Sequence, residues 1–168
     1  MSPRFVPRSL VTMLLAFAAF DAFASPLEAQ MLPNPYGLAI ALDNAKKAAA
    51  PALAEARKNN WTMAVAIVDS GGDLVYFEKM DGTQTGSVNV AIAKARSAAL
   101  FKRPTKAFQD TLATGGDGLR ILGLENAVPV EGGIPLVMDG KIVGAIGLSG
   151  GTSPQDGQCA QAGASALK

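Results

Sequence analysis

The sequence predicts an α+β domain: an antiparallel sheet of about five strands with helices on both of its faces. Three observations carry this. Two pairs of apolar segments are each joined by a tight turn, as in β-hairpins, and helical patterns separate one pair from the other. The segments Thr62 to Asp69 and Lys141 to Leu148 are apolar at both alternating sets of positions, so each face needs cover. Further helical patterns open and close the domain, so strands are grouped as hairpins and do not alternate with helices as in a parallel sheet.

The N-terminus is set apart from that domain. Arg4 and Arg8 precede an apolar run from Leu10 to Phe20, broken only by Thr12, and Ala22-Phe23-Ala24 has the small-x-small form of a signal peptidase site. A signal peptide over residues 1–24 is expected, with Ala29 as an alternative cut. The run falls short of the roughly 20 apolar residues that span a bilayer, so no stable membrane insertion is expected. The expected location is periplasmic or secreted. Residues 25–35 hold three prolines and read as an extended leader, leaving a single domain over 36–168.

From Gly37, the residues Leu38, Leu42, Ala45, Ala49, Leu53 and Ala56 recur at helical spacing. Pro51 predicts a kink or restart, and Asn59-Asn60 a stop. In the first hairpin Met63, Val65 and Ile67 share one face and Ala64, Ala66 and Val68 the other. Ser70 to Asp73 turns the chain, and Leu74 to Glu78 returns. Met80 to Thr83 ends the pattern, and Ser87 is the expected cap of a helix whose stripe is Val88, Ala91, Ile92, Ala95 and Ala99, with Lys94 and Arg96 beside it. Pro104 ends that region, and Thr105 is the expected cap of a short helix carrying Phe108 and Leu112. Residues 114–118 are expected to be a loop. Val128 to Val130 leads through Glu131-Gly132-Gly133 into the strand Ile134 to Met138, Asp139-Gly140 is a two-residue hairpin turn, and Lys141 to Leu148 follows. Ser153-Pro154-Gln155-Asp156 predicts the start of a last helix, running to about Ala166.

Composition narrows the chemistry. The charges nearly balance (15 Lys+Arg, 14 Asp+Glu) and no basic cluster exceeds a pair such as Lys46-Lys47, so nucleic acid is not an expected partner. There is no histidine, which removes Ser-His-Asp and Cys-His hydrolysis and a conventional zinc site. Cys159 stands alone, so export brings no internal disulfide.

An ordered set of motifs resembles the GlcG/HbpS-like family, which includes the C-terminal domain of PduO-type adenosyltransferases. It runs from Asn60-Trp61 and Asp69-x-Gly71-Gly72 through Met80-Asp81-Gly82, Ala93-Lys94-Ala95 and Arg103-Pro104-Thr105. It continues with Gly132-Gly133-Ile134-Pro135-Leu136, Asp139-Gly140, Gly144 to Gly151 and Gln155-Asp156. The resemblance implies a profilin-like three-layer α/β/α sandwich and a homo-oligomer built on dimers, as large as a hexamer or octamer. It also implies haem binding, with haem capture, degradation or redox and iron sensing as roles. Because the chain has no histidine, it departs from family members that ligate haem through that residue.

Candidate site residues follow from both readings. Backbone N–H groups around Gly132, Gly133, Ser149, Gly150 and Gly151, the last three leading into a helix, suit a carboxylate of haem or of a small organic acid. The same glycines also suit tight turns and close packing. Asp81 and Gly82 follow a strand, where a carboxylate meets a ligand or caps its own turn. Lys94 either pairs with a ligand acid or reaches solvent. Asp156 is a capping charge or a site group, and Thr105 and Pro135 come with the family motifs. For haem iron, Tyr76 and Met80 are the preferred donors among Tyr36, Tyr76, Met63, Met80, Met138 and Cys159. Besides exported haem binding, two functions remain open: an enzyme or accessory factor for a small organic acid, and a non-catalytic oligomeric sensor.

Overall fold

A strand apolar on both faces is stable only between two layers, and the chain supplies them. The computed structural model describes residues 34–167; the expected signal peptide and the leader up to residue 33 lie outside these. The strands β1 (Ala64–Asp69), β2 (Leu74–Lys79), β3 (Gly133–Met138) and β4 (Lys141–Ser149) form one antiparallel sheet in the order β2-β1-β4-β3. Helices α1 (Leu42–Lys58) and α4 (Ser153–Ala164) cover one face; α2 (Ser87–Phe101) covers the other, and α3 (Thr105–Ala113) follows it. The two faces of β1 divide as the alternation predicts. Met63, Val65 and Ile67 join the core under α1 and α4, while Ala64, Ala66 and Val68 join the core under α2.

The sheet has four strands, one fewer than expected. Val128 to Val130 stays irregular because Pro129 has no N–H to give a ladder. Residues before α1 lie beside β4 beyond the end of β1: Gly37 N–H donates to Ile142 O, and Ile40 N–H to Val143 O, both at 2.8 Å. That extended stretch explains a second departure. Leu38 is 89 % exposed, and Ile40 is the buried residue there.

Helix α1 runs unbroken through Pro51. Ala48, Ala49, Ala52 and Leu53 around it are all buried, and this packing outweighs the one hydrogen bond proline removes. Gly86, not Ser87, is the N-cap of α2, and Thr152, not Ser153, caps α4 through a capping box with Gln155. Thr105 is the first residue of α3 and leaves the cap to Pro104. Residues Gly116–Gly123 form a 3-10 helix where a loop was expected.

Tyr36 fastens the segment before α1 to the far end of α2. Its hydroxyl lies 2.8 Å from Ala99 O, and the Lys102 ammonium sits 4.1 Å from its ring centroid. The change Tyr36→Phe is expected to cost about 1 kcal/mol, the net worth of one hydrogen bond. Urea denaturation checks it, through a lower midpoint at an unchanged slope.

Candidate functional site

At one end of the sheet, a charged pair joins the two helical layers. Lys94 comes from α2 and Asp156 from the first turn of α4, on opposite sides of the sheet. Lys94 Nζ donates to Asp156 Oδ2 at 2.7 Å and to Leu148 O at 3.1 Å, with the two side chains only 1 % and 4 % exposed. Lys94 neither reaches solvent nor stands free for a ligand acid. It lies three residues after Ala91 and four before Ala98, on the buried face of α2 itself. Asp156 Oδ1 accepts Gly151 N–H at 3.0 Å. Burial pushes the Asp156 carboxyl above its ordinary range, against the downward pull of Lys94 and of the Gly151 and Gly150 N–H groups.

The glycines make room for this pair. A Cβ on Gly132 would lie 2.8 Å from Asp156 Cβ and 2.9 Å from Lys94 Nζ, and the residue holds φ +126°, where a side chain is strained. A Cβ on Gly133 would fall on Lys94 O. Gly133 N–H donates to Thr105 Oγ1 at 2.9 Å, so Thr105 pins the start of β3 to α3. Ser149 Oγ donates to Ser87 Oγ at 3.2 Å. The structure thus brings Lys94, Thr105, Gly132, Gly133, Ser149, Gly150, Gly151 and Asp156 together. Pro135 follows on the edge strand β3, where its missing N–H interrupts no ladder.

On the outer side of Gly132 and Gly133 opens a cleft of about 420 Å³, walled by Pro104, Ile134, Pro154 and Gly157 with Lys106, Glu131, Gln158 and Gln161. Its size suits a small molecule. Glu131 is a residue the sequence reading passed over. Its backbone N–H donates to Gln109 Oε1 at 2.9 Å, and its carboxylate lies against Gly157 of α4. The only sequence signal for it was a charge directly before the glycine pair.

Tyr76, Met80, Asp81 and Gly82 stand apart, at the β2 edge, about 14 Å away by strand spacing. Tyr76 donates to Glu78 Oε2 at 2.7 Å, and that bond, ahead of burial, raises its pKa and opposes the tyrosinate form. Met80 packs against the core, Asp81 is exposed, and Gly82 turns the chain at φ +80°. A shallower cleft of about 380 Å³ lies there, lined by Arg57, Glu78, Lys79, Met80 and Asp81. Met63 is core, and Met138 packs against it. Cys159 is buried, its thiol pushed up to about 11. Among the described residues, no group of three His, Cys, Asp or Glu side chains is placed to hold a metal ion, and no helix is long and apolar enough to cross a membrane.

A family model described as haem degrading protein HbpS-like matches residues 40–165. Protein GlcG of Escherichia coli strain K12 is 38 % identical over 95 residues, which is 56 % of this chain and 69 % of that one. Among solved structures, a double mutant of HbpS from Streptomyces reticuli superposes with a TM-score of 0.72 at 29 % identity, over 86 % of this chain and 98 % of its own. A complex of PduOC with haem superposes with a TM-score of 0.70 at 27 % identity, over 78 % and 96 %.

Proposed function

The chain belongs to the haem degrading protein HbpS-like family, and on that premise we propose that it is an exported haem-binding protein whose ligand enters the cleft beside Gly132 and Gly133. The observation that carries this is the cleft itself, about 420 Å³ with apolar walls at Pro104, Ile134 and Pro154. A relative of the same fold is described in complex with haem. Residues 1–24 support export.

The residues fit the macrocycle. Proline and isoleucine surfaces cover a flat apolar ring without leaving polar groups unpaired. Lys106 stands at the rim for a propionate. Its pairing with Asp110 at 2.7 Å is exposed, hence weak and exchangeable. When bound, haem would supply a redox-active iron; the chain's part is to hold and orient it. Leu119, Leu122 and Leu124 are exposed on and just after the 3-10 helix and give a homo-oligomer an apolar surface to bury.

Titrating haemin into the protein is expected to give a saturable shift of the Soret band. Gln161→Trp, an exposed change that fills the cleft from α4, is expected to weaken binding about tenfold. Unchanged affinity in that variant would remove haem from this cleft, and the absence of any Soret shift in the native chain would end the haem reading.

A further inference from the structure

Haem iron needs a donor, and the donors sought in the sequence are not in the cleft. Tyr76 and Met80 lie at the opposite edge of the sheet, and Cys159 is on the buried face of α4. What the cleft does offer is Glu131, the one carboxylate on its walls. Among the described residues no donor of the chain is hydrogen-bonded to that carboxylate. The nearby Lys106 gives its ammonium to both oxygens of Asp110, at 2.7 Å each. Glu131 is half-buried, and the Lys106 ammonium acts on its carboxylate only through space, so the carboxylate is open to a group bound in the cleft.

The fold also preserves the space for it. Gly157 sits inside α4, where alanine would serve the helix better. A Cβ there would fall on Glu131 Oε1 and lie 2.8 Å from its Cδ and Cγ. The glycine lets the carboxylate lie flat along the helix at the cleft wall.

We propose that Glu131 is the iron ligand of this histidine-free chain, its carboxylate binding the ferric iron of haem held beside Gly132 and Gly133. This rests on the haem reading of the cleft. A carboxylate is a hard anionic oxygen donor, as the phenolate of tyrosine-ligated haem proteins is, and it matches ferric better than ferrous iron. Binding exchanges the water or chloride on haemin for Glu131; no electron moves, and the displaced group leaves to solvent.

The test uses haemin and iron-free protoporphyrin IX with the native chain, Glu131→Gln and Gly157→Ala. Glu131→Gln keeps the shape and removes the charge. Gly157→Ala keeps Glu131 but pushes its carboxylate aside while favouring the helix, so a folding defect is not expected; far-UV circular dichroism checks this. Both variants are expected to bind haemin about tenfold more weakly, with a shifted high-spin charge-transfer band and altered ferric electron paramagnetic resonance, and to bind protoporphyrin IX within about twofold of the native chain. If both variants keep native haemin affinity and spectra, Glu131 is not the ligand, and the cleft reading stands. If neither pigment binds the native chain, the haem reading and this inference fall together.

Discussion

Replacing Lys94 with methionine is expected to lower stability by about 3–5 kcal/mol at neutral pH, the cost of leaving one member of a buried ion pair alone. Methionine fills the lysine's volume, so the loss is electrostatic and not a cavity. Leu148 O would lose the ammonium, and Asp156 would keep only the Gly151 and Gly150 N–H groups. Burial already holds the Asp156 carboxyl above its ordinary value of 3.8, and without Lys94 it moves higher. From 3.8 up to that raised value the native state keeps a proton that the unfolded state has released. Stability of the variant therefore falls as pH rises through this window, and its deficit shrinks on acidification. Guanidinium denaturation at neutral pH and in mild acid reads both effects. Adding Asp156→Asn removes the stranded charge and leaves an oxygen for Gly151 N–H, so the double variant is expected to recover more than half of the loss at neutral pH. A double variant no more stable than Lys94→Met would mean that packing, not charge, sets the cost.

This pair shows what sequence alone could and could not reveal. The two faces of β1, the Asp139-Gly140 turn and the motif order were legible because each depends on neighbours in the chain. By its place beside the apolar stripe of α2, Lys94 reads as a group that pairs with a ligand acid or reaches solvent. Its spacing from Ala91 and Ala98 put it on the buried face, and only its partner 62 residues away makes that tolerable. Thr105 and Ser87 read as caps because a hydroxyl before a helix usually serves the helix, whereas these serve Gly133 and Ser149 across the fold. Gly157 inside α4 has a structural reason only once the Glu131 side chain is placed against it. Such long-range partners have no sequence period, which is why Tyr76 and Met80 are legible as donors by residue type and Glu131 is not.

The close approach of α2 to the sheet is what lets Lys94 reach across, and Gly147 controls it. On the face under α2 the sheet presents Ala64, Ala66, Ala145 and Gly147, and the helix answers with Ala91, Ala95, Ala98 and Ala99. Small side chains on both surfaces bring the backbones near enough that a Cβ on Gly147 would strike Ala91 O and lie 2.5 Å from Ala95 N. Gly147→Ala is therefore expected to cost about 3 kcal/mol, the upper range for overpacking, because the obstruction is backbone and no side chain can rotate away. Lifting α2 also draws Lys94 Nζ back from Asp156. In a Gly147→Ala background the coupling energy between Lys94 and Asp156, read by a double-mutant cycle, is then expected to shrink. Ala95→Gly would clear one methyl group yet leave Ala91 O in place, so it is not expected to restore stability. If Gly147→Ala folds with native stability and full coupling, α2 can shift without loosening the pair, and the small-residue surface does not govern the reach of Lys94.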